Sequence, residues 1–223
     1  LHLSYIKPHW PYVAPAPYNN MYSSNEVIEA IRSEKELENT NPLMKLFMDR
    51  VAGKTFANDK ARETIIPVYM GLISQIDDQL GVLFNFMEKN DFMKNTMIVF
   101  TSDHGDYLGD HWMGDKDYFH DQSVKIPLII YDPSKAADST RGTTDDSLVE
   151  LIDLLPTFVE YSGGSVANHI LDGQSLLNNV RGNKIKPRDY IVSEYDYSCQ
   201  VFRPETGRMP LDCRSYMVAD KNW

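Results

Sequence analysis

The run Thr96-Met-Ile-Val-Phe-Thr-Ser-Asp-His-Gly-Asp106 constrains the fold more than any other stretch, because an apolar, β-branched segment leads directly into a carboxylate and an imidazole. Met97 to Thr101 has the length and composition of a strand buried on both faces. Open α/β sheets bind ligands outside the carboxyl ends of such strands. Asp103 and His104 would stand at that rim, where a carboxylate beside an imidazole can hold a metal. The same Asp-His-Gly sequence also suits a plain turn, with Asp103 accepting backbone N–H groups and Gly105 supplying a positive φ.

The residues that follow favour a functional loop. Gly109-Asp-His-Trp-Met-Gly-Asp-Lys116 and Tyr118-Phe-His-Asp121 crowd ionisable side chains together before Ser123-Val-Lys-Ile-Pro-Leu-Ile-Ile-Tyr-Asp-Pro133, which reads as the next strand. Polar loops held between buried strands are where binding and catalytic groups concentrate. Upstream, Tyr69, Ile73, Ile76, Leu80, Leu83, Phe84 and Met87 recur at three- and four-residue steps, which predicts a long helix over 61–89 whose apolar stripe packs on a sheet. Asp77 and Asp78 within it read as solvated or hydrogen-bonded helix positions. Helix, turn and buried strand are the units of a layered α/β fold.

The remaining segments read more simply. Leu1 to Ile6 has the pattern of a strand. Four prolines between Pro8 and Pro17 forbid a helix there and stiffen an extended loop carrying His9. The polar stretch from about 25 to 60 reads as a surface excursion with weak helical patterning near Pro42 to Val51. Asp146 to Tyr161 carries a helical pattern with Asp153 as its N-terminal cap and Pro156 in the first turn. Leu171 to Leu177 suggests a turn and short helix, Tyr190 to Tyr195 a strand, and Tyr216 to Trp223 half of a hairpin.

Composition excludes some classes. The formal net charge is -10, and the Lys and Arg residues form no basic block, so no nucleic-acid partner is expected. No apolar run approaches the roughly 20 residues of a membrane helix, so no membrane partner is expected either. An anionic substrate would need local positive charge, from a metal, Lys116 or both. Cys199 and Cys213 are too few for a disulfide framework, and reduced thiols are the simpler expectation.

Several motifs, in this order, resemble the sulfatase branch of the alkaline-phosphatase superfamily, and most closely arylsulfatases and phosphonate monoester hydrolases. They are Pro8-His-Trp-Pro-Tyr12, Ile76-Asp-Asp-Gln-Leu-Gly81, Phe100-Thr-Ser-Asp-His-Gly-Asp-Tyr-Leu-Gly109, Lys116 with Ser123-Val-Lys-Ile-Pro-Leu128, Asp153-Leu-Leu-Pro-Thr157, Leu171-Asp-Gly-Gln-Ser-Leu176 and Glu194-Tyr-Asp-Tyr197. The resemblance implies an alkaline-phosphatase-like α/β three-layer sandwich with a mixed central sheet, of which this chain forms part. It also implies hydrolysis of sulfate or phosphonate monoesters, with a small anionic ester as substrate. Asp103 and His104 would ligate one divalent cation, Ca²⁺ or Mn²⁺, the imidazole tilting the choice toward Mn²⁺. Lys116 and His9 would lie beside the substrate's anionic group and its leaving oxygen. His111 and His120 match no catalytic position and read as structural.

The same resemblance places a nucleophile, a formylglycine formed from Cys or a Ser, in a Cys/Ser-x-Pro-x-Arg motif, and two further Asp ligands, outside these residues. Cys199-Gln-Val-Phe-Arg203 imitates that spacing, but Val201 stands where proline is required. The expectation is therefore a C-terminal portion of a longer enzyme, inactive alone, with residues 1–186 in the catalytic α/β domain and 187–223 opening a smaller antiparallel subdomain. A catalytically inert fragment or ligand-binding remnant is the competing expectation, and a phosphodiesterase or phosphotransferase of the same superfamily a third. Exposed sheet edge would favour self-association into a homo-oligomer.

Overall fold

A computed structural model describes residues 1–167, 169–183, 186–198, 203–204, 207 and 209–221. The chain divides into two compact units, one of Leu1–Phe92 with Thr101–Pro127, the other of Met93–Phe100 with Leu128–Trp223.

In the first unit, helices α1 (Glu34–Glu38), α2 (Pro42–Met48) and α3 (Val51–Phe56) lead into α4 (Asp59–Lys89). Pro42 opens α2, where its missing N–H costs nothing, and the Asn41 side chain accepts from Leu43 N at 2.9 Å. Asn58 caps α4 in the same way through Lys60 N at 2.9 Å. The long helix agrees with the apolar period of the sequence. Its first half, however, is covered by the Tyr18–Glu26 segment, so Gly71 rather than Ile73 is buried and Ile73 is exposed. A Cβ on Gly71 would stand 2.1 Å from Tyr18 O, a contact only glycine permits. One helical face then bonds the covering segment through Tyr22 Oη to Ser74 Oγ at 2.8 Å and Tyr18 Oη to Asp78 at 2.7 Å. Asp78 is thus a hydrogen-bonded helix position. Leu1 to Ile6 forms no strand, because no neighbouring strand pairs with it among the described residues.

Strand β1 (Ile98–Thr101) follows, and its last residue belongs to the first unit. The helical turn α5 (Asp121–Val124) comes next, then β2 (Leu128–Tyr131), hydrogen-bonded to β1. The second strand is shorter than the sequence suggests, since Asp121 to Val124 is helical and Pro127 cannot donate to a ladder.

The second unit is completed by α6 (Leu154–Tyr161), α7 (Leu177–Val180) and an antiparallel hairpin of β3 (Ile191–Asp196) and β4 (Arg214–Ala219). Its register runs from Ile191 opposite Ala219 to Asp196 opposite Arg214. Helix α6 starts later than its pattern suggests: Ser147 N bonds Asp145 at 2.8 Å in a side-chain turn, and only Leu151–Asp153 is helical, as a 3₁₀ turn, before Leu154. Asp153 does not cap α6. Its buried carboxylate accepts from Glu150 N and Gln174 N, each at 2.8 Å, and from the two terminal guanidinium nitrogens of Arg188 at 2.6 and 3.0 Å. Thr157 Oγ1 donates to Asp153 O at 2.6 Å and accepts from Leu176 N at 2.8 Å, while a Cβ on Gly173 would meet Ile152 O at 2.2 Å. The Asp153–Thr157 and Leu171–Leu176 motifs are therefore stitched together as scaffold. Cys213 is buried with its Sγ on Met209 O at 3.4 Å; Cys199, and with it the cysteine pairing, lies outside the described residues.

Candidate active site

The first unit brings together two loops that are far apart in sequence. One carries His9. Within that loop, Lys7 Nζ donates to His9 O at 3.2 Å and to Pro11 O, and His9 N donates to Ile6 O at 3.1 Å. The carbonyl of Trp10 lies 2.8 Å from His9 Nδ1, and a carbonyl can only accept, so the ring proton sits on Nδ1. Nε2 is left as an acceptor, and Lys116 Nζ donates to it at 3.1 Å.

The other loop leaves the end of β1. Ser102 Oγ donates to His104 O at 2.5 Å, and Asp103 Oδ1 accepts from His104 N at 3.0 Å. The turn reading of the sequence is met in that one bond. Gly105, by contrast, has no positive φ; it is required because a Cβ there would stand 2.0 Å from Gln122 O, beside its own bond to Ser123 O at 2.9 Å. His104 repeats the arrangement of His9, with Nδ1 on Gly105 O at 2.8 Å and Nε2 free to ligate. The two imidazoles meet edge to face with ring centres 6.1 Å apart.

Asp103 has an 87% exposed side chain, and its Oδ2 lies 3.7 Å from His104 Nε2. Bonds to a divalent cation run about 2.0–2.6 Å, so donors at this spacing can share one ion. The tautomer and the exposed carboxylate fit such a group. The set is incomplete: no cluster of three or more His, Cys, Asp or Glu side chains suited to a metal occurs among the described residues.

Lys116 reaches His9 from an unusual backbone. Leu108, His111, Trp112, Asp115, Asp117 and Tyr118 all have positive φ, between 47° and 89°. Such conformations cost about 1–3 kcal/mol each and persist only where surroundings enforce them. Most of the enforcement comes from the segment that reads in sequence as a surface excursion, with Arg62 of α4 adding to it. Ile31 bonds the loop twice, its O accepting from His111 N at 2.8 Å and its N donating to Asp110 at 2.9 Å. Trp112 Nε1 donates to Ser33 O at 2.9 Å beneath the Arg32 guanidinium, and Arg50 pairs with Asp117 at 3.1 Å. Buried Arg62 holds Leu108 O at 3.1 Å and Ile28 O at 2.9 Å. These contacts join residues dozens of positions apart, and no local pattern announces them.

His111 and His120 lie within this clamp, stacked with centres 4.0 Å apart. His111 Nδ1 approaches Glu36 at 3.4 Å, and His120 Nδ1 meets Tyr107 Oη at 3.0 Å. Burial, then the neighbouring His111, pushes His120 down to about 4. A neutral, packed imidazole fits the structural reading of His120. Deeper in the unit, Tyr12 donates to Asp106 Oδ2 at 2.6 Å. Burial raises the Asp106 carboxyl above the usual carboxylate range despite the Tyr12 and Leu108 bonds, and burial followed by Asp106 pushes Tyr69 up to about 12.

Comparison with known proteins identifies the family and the fold. The sulfatase family model matches residues 1–164. A multifunctional alkaline phosphatase superfamily protein, PehA, of Trinickia caryophylli is 32% identical over all of this chain and 46% of its own length. An arylsulfatase of Clostridium perfringens is 30% identical over 88% of the chain and 40% of its own length. The solved phosphonate monoester hydrolase SpPMH of Silicibacter pomeroyi superposes with a TM-score of 0.88 at 29% identity, covering 98% of this chain and 45% of that one. The chain thus has the mixed α/β alkaline-phosphatase-like fold, and it spans about half the length of the relatives it matches.

Proposed function

The chain belongs to the sulfatase family, and on that premise we propose that its protein is a metal-dependent hydrolase of sulfate or phosphonate monoesters. Asp103 and His104 supply two ligands of one divalent cation, Mn²⁺ or Ca²⁺, and Lys116 and His9 contact the substrate. The nucleophile, a formylglycine or Ser, and the remaining ligands come from the rest of the protein. The observation that carries this reading is the 3.1 Å approach of Lys116 Nζ to His9 Nε2, with His104 beside them.

The chemistry uses each group by position and charge. Cleavage of a sulfate or phosphonate ester builds negative charge on the equatorial oxygens and on the leaving oxygen. A cation at Asp103 and His104 supplies Lewis acidity. The Lys116 ammonium stabilises charge on the transferred group. His9 is anchored through Nδ1, so Nε2 is the atom that faces the leaving oxygen; with both ring nitrogens protonated, the imidazolium passes its Nε2 proton to that oxygen and returns to the Nδ1–H form. Asp103 and His104 follow the end of β1, a strand whose residues are half-buried apart from exposed Phe100, and Gly105 holds their loop against Gln122.

Assay of the full-length protein on an aryl sulfate and an aryl phosphonate monoester, with Mn²⁺ or Ca²⁺ supplied, tests the reading and chooses between substrate classes. Turnover of either ester supports it. Failure on both, with the protein folded and metal present, sinks it.

A further inference from the structure

We infer that Tyr12 and Asp106 form a positioning link that sets the His9 loop against the Asp103–His104 loop, an inference that rests on the hydrolase reading above. Tyr12 lies three residues after His9, and Asp106 two residues after His104. Their oxygens are 2.6 Å apart, the short separation of an O–H donor on a carboxylate. The second Asp106 oxygen accepts from Leu108 N at 3.1 Å, so the carboxylate is held at both ends.

Tyr12 is equally constrained. Its ring sits edge-on against Phe56, with centres 5.8 Å apart, and against Tyr69 at 6.1 Å. The side of the loop nearer His9 is stiffened by Lys7, which donates to the carbonyls of His9 and Pro11. Movement of Tyr12 is therefore passed to His9 through a short, internally braced backbone. Burial keeps the Tyr12 phenol protonated, so it remains the donor throughout the neutral range.

The link acts through His9. Proton delivery demands placement to within a fraction of an ångström, whereas charge stabilisation by Lys116 or a cation tolerates more displacement. Loss of the link should therefore cost most where the leaving oxygen most needs a proton. A poor leaving group such as phenoxide meets that condition, and 4-nitrophenoxide does not.

The test compares full-length wild type, Tyr12→Phe, Asp106→Ala and Asp106→Asn on the phenyl and 4-nitrophenyl esters of whichever acid the wild type hydrolyses, with melting temperatures in parallel. Tyr12→Phe and Asp106→Ala should lower kcat on the phenyl ester by about 10–100-fold, lose far less on the nitrophenyl ester, and leave KM within about two-fold. Asp106→Asn keeps one oxygen to accept from Leu108 N and presents its NH2 to the Tyr12 hydroxyl, which can accept as well as donate, so it should recover most of the phenyl-ester rate. An equal loss on both esters, an unchanged kcat in Tyr12→Phe, or an Asp106→Asn as impaired as Asp106→Ala would overturn the link. Should the truncations not fold, Asp106→Asn decides: near-wild-type rates on both esters support the link, and a loss independent of leaving group refutes it. A folded, metal-loaded wild type that hydrolyses neither ester removes the hydrolase reading and the link with it.

Discussion

Lys116 Nζ donates to His9 Nε2 at 3.1 Å, bridging two loops 107 residues apart. Each partner is fixed independently: His9 by its Nδ1 bond to Trp10 O, and Lys116 by a left-handed loop that Ile31, Ser33 and Arg50 hold in place. A basic pair so constrained is prepared to receive an anion without reorganising, which is where electrostatic catalysis gains most.

Metal content should depend on the two residues at the end of β1. In the full-length protein, Asp103→Asn and His104→Ala should each reduce bound divalent cation at a fixed free-metal concentration, with affinity falling by at least about 10-fold. Elemental analysis of dialysed protein reads this directly. Wild-type occupancy in both variants would remove them as ligands.

Gly105 tests whether the Asp103–His104 loop, proposed to hold the metal, needs its close approach to α5. A Cβ there would lie 2.0 Å from a backbone oxygen, so Gly105→Ala must displace the loop or the Gln122 turn. The expected cost is about 1–3 kcal/mol, read as a lower melting temperature together with weaker metal binding. Gly142→Ser is a control at an open glycine whose φ of +70° adds backbone strain but no clash. Metal affinity should fall in the first variant alone.

Acid should destabilise the protein through His120. Burial and His111 lower its folded value to about 4, against roughly 6.5 in an unfolded chain. Between those values the unfolded state binds the proton and the folded state does not. The contribution is complete above about pH 6.5 and is lost progressively as pH falls toward 4. His120→Gln should flatten the fall in melting temperature between pH 6.5 and 4.5. A difference curve that is level across that window contradicts the assignment.

Arg188 anchors the second unit by meeting Asp153 at 2.6 Å and Glu150 at 2.7 Å, with both Arg188 and Asp153 nearly sequestered from solvent. Arg188→Ala leaves a buried carboxylate without its counter-ion, which typically costs about 3–5 kcal/mol. Arg188→Ala combined with Asp153→Asn should recover part of that loss in thermal or chemical denaturation. Two additive penalties would show that the residues act separately.

How much of this was legible depended on how local each determinant is. The apolar period along Tyr69 to Met87 and the compact run Ile98 to Thr101 announce α4 and β1 because side-chain periodicity is a local property. The alternation around Val192 and Val218 likewise marks the hairpin. Asp103 and His104 stand out locally at the end of a strand, though they suit a plain turn as well, and only motifs in a recognisable order give them, His9 and Lys116 distinct roles. The Tyr12–Asp106 bond, the Arg32, Glu36 and Arg50 clamp and the left-handed conformations around Lys116 left no such trace, since each depends on residues distant in the chain. The same limit applies to α4: its period shows that one face is covered, not that the Tyr18 segment covers its first half.

The central claim is tested most directly by the steady-state rate of the full-length protein on its preferred aryl ester, wild type beside Lys116→Ala at saturating metal. Lys116 carries no metal in this account, so cation content should remain at the wild-type level. The account predicts that kcat/KM falls by about 10²–10³-fold, the usual effect of removing one group that stabilises developing negative charge. A Lys116→Ala enzyme that binds its metal and retains wild-type kcat/KM would contradict it.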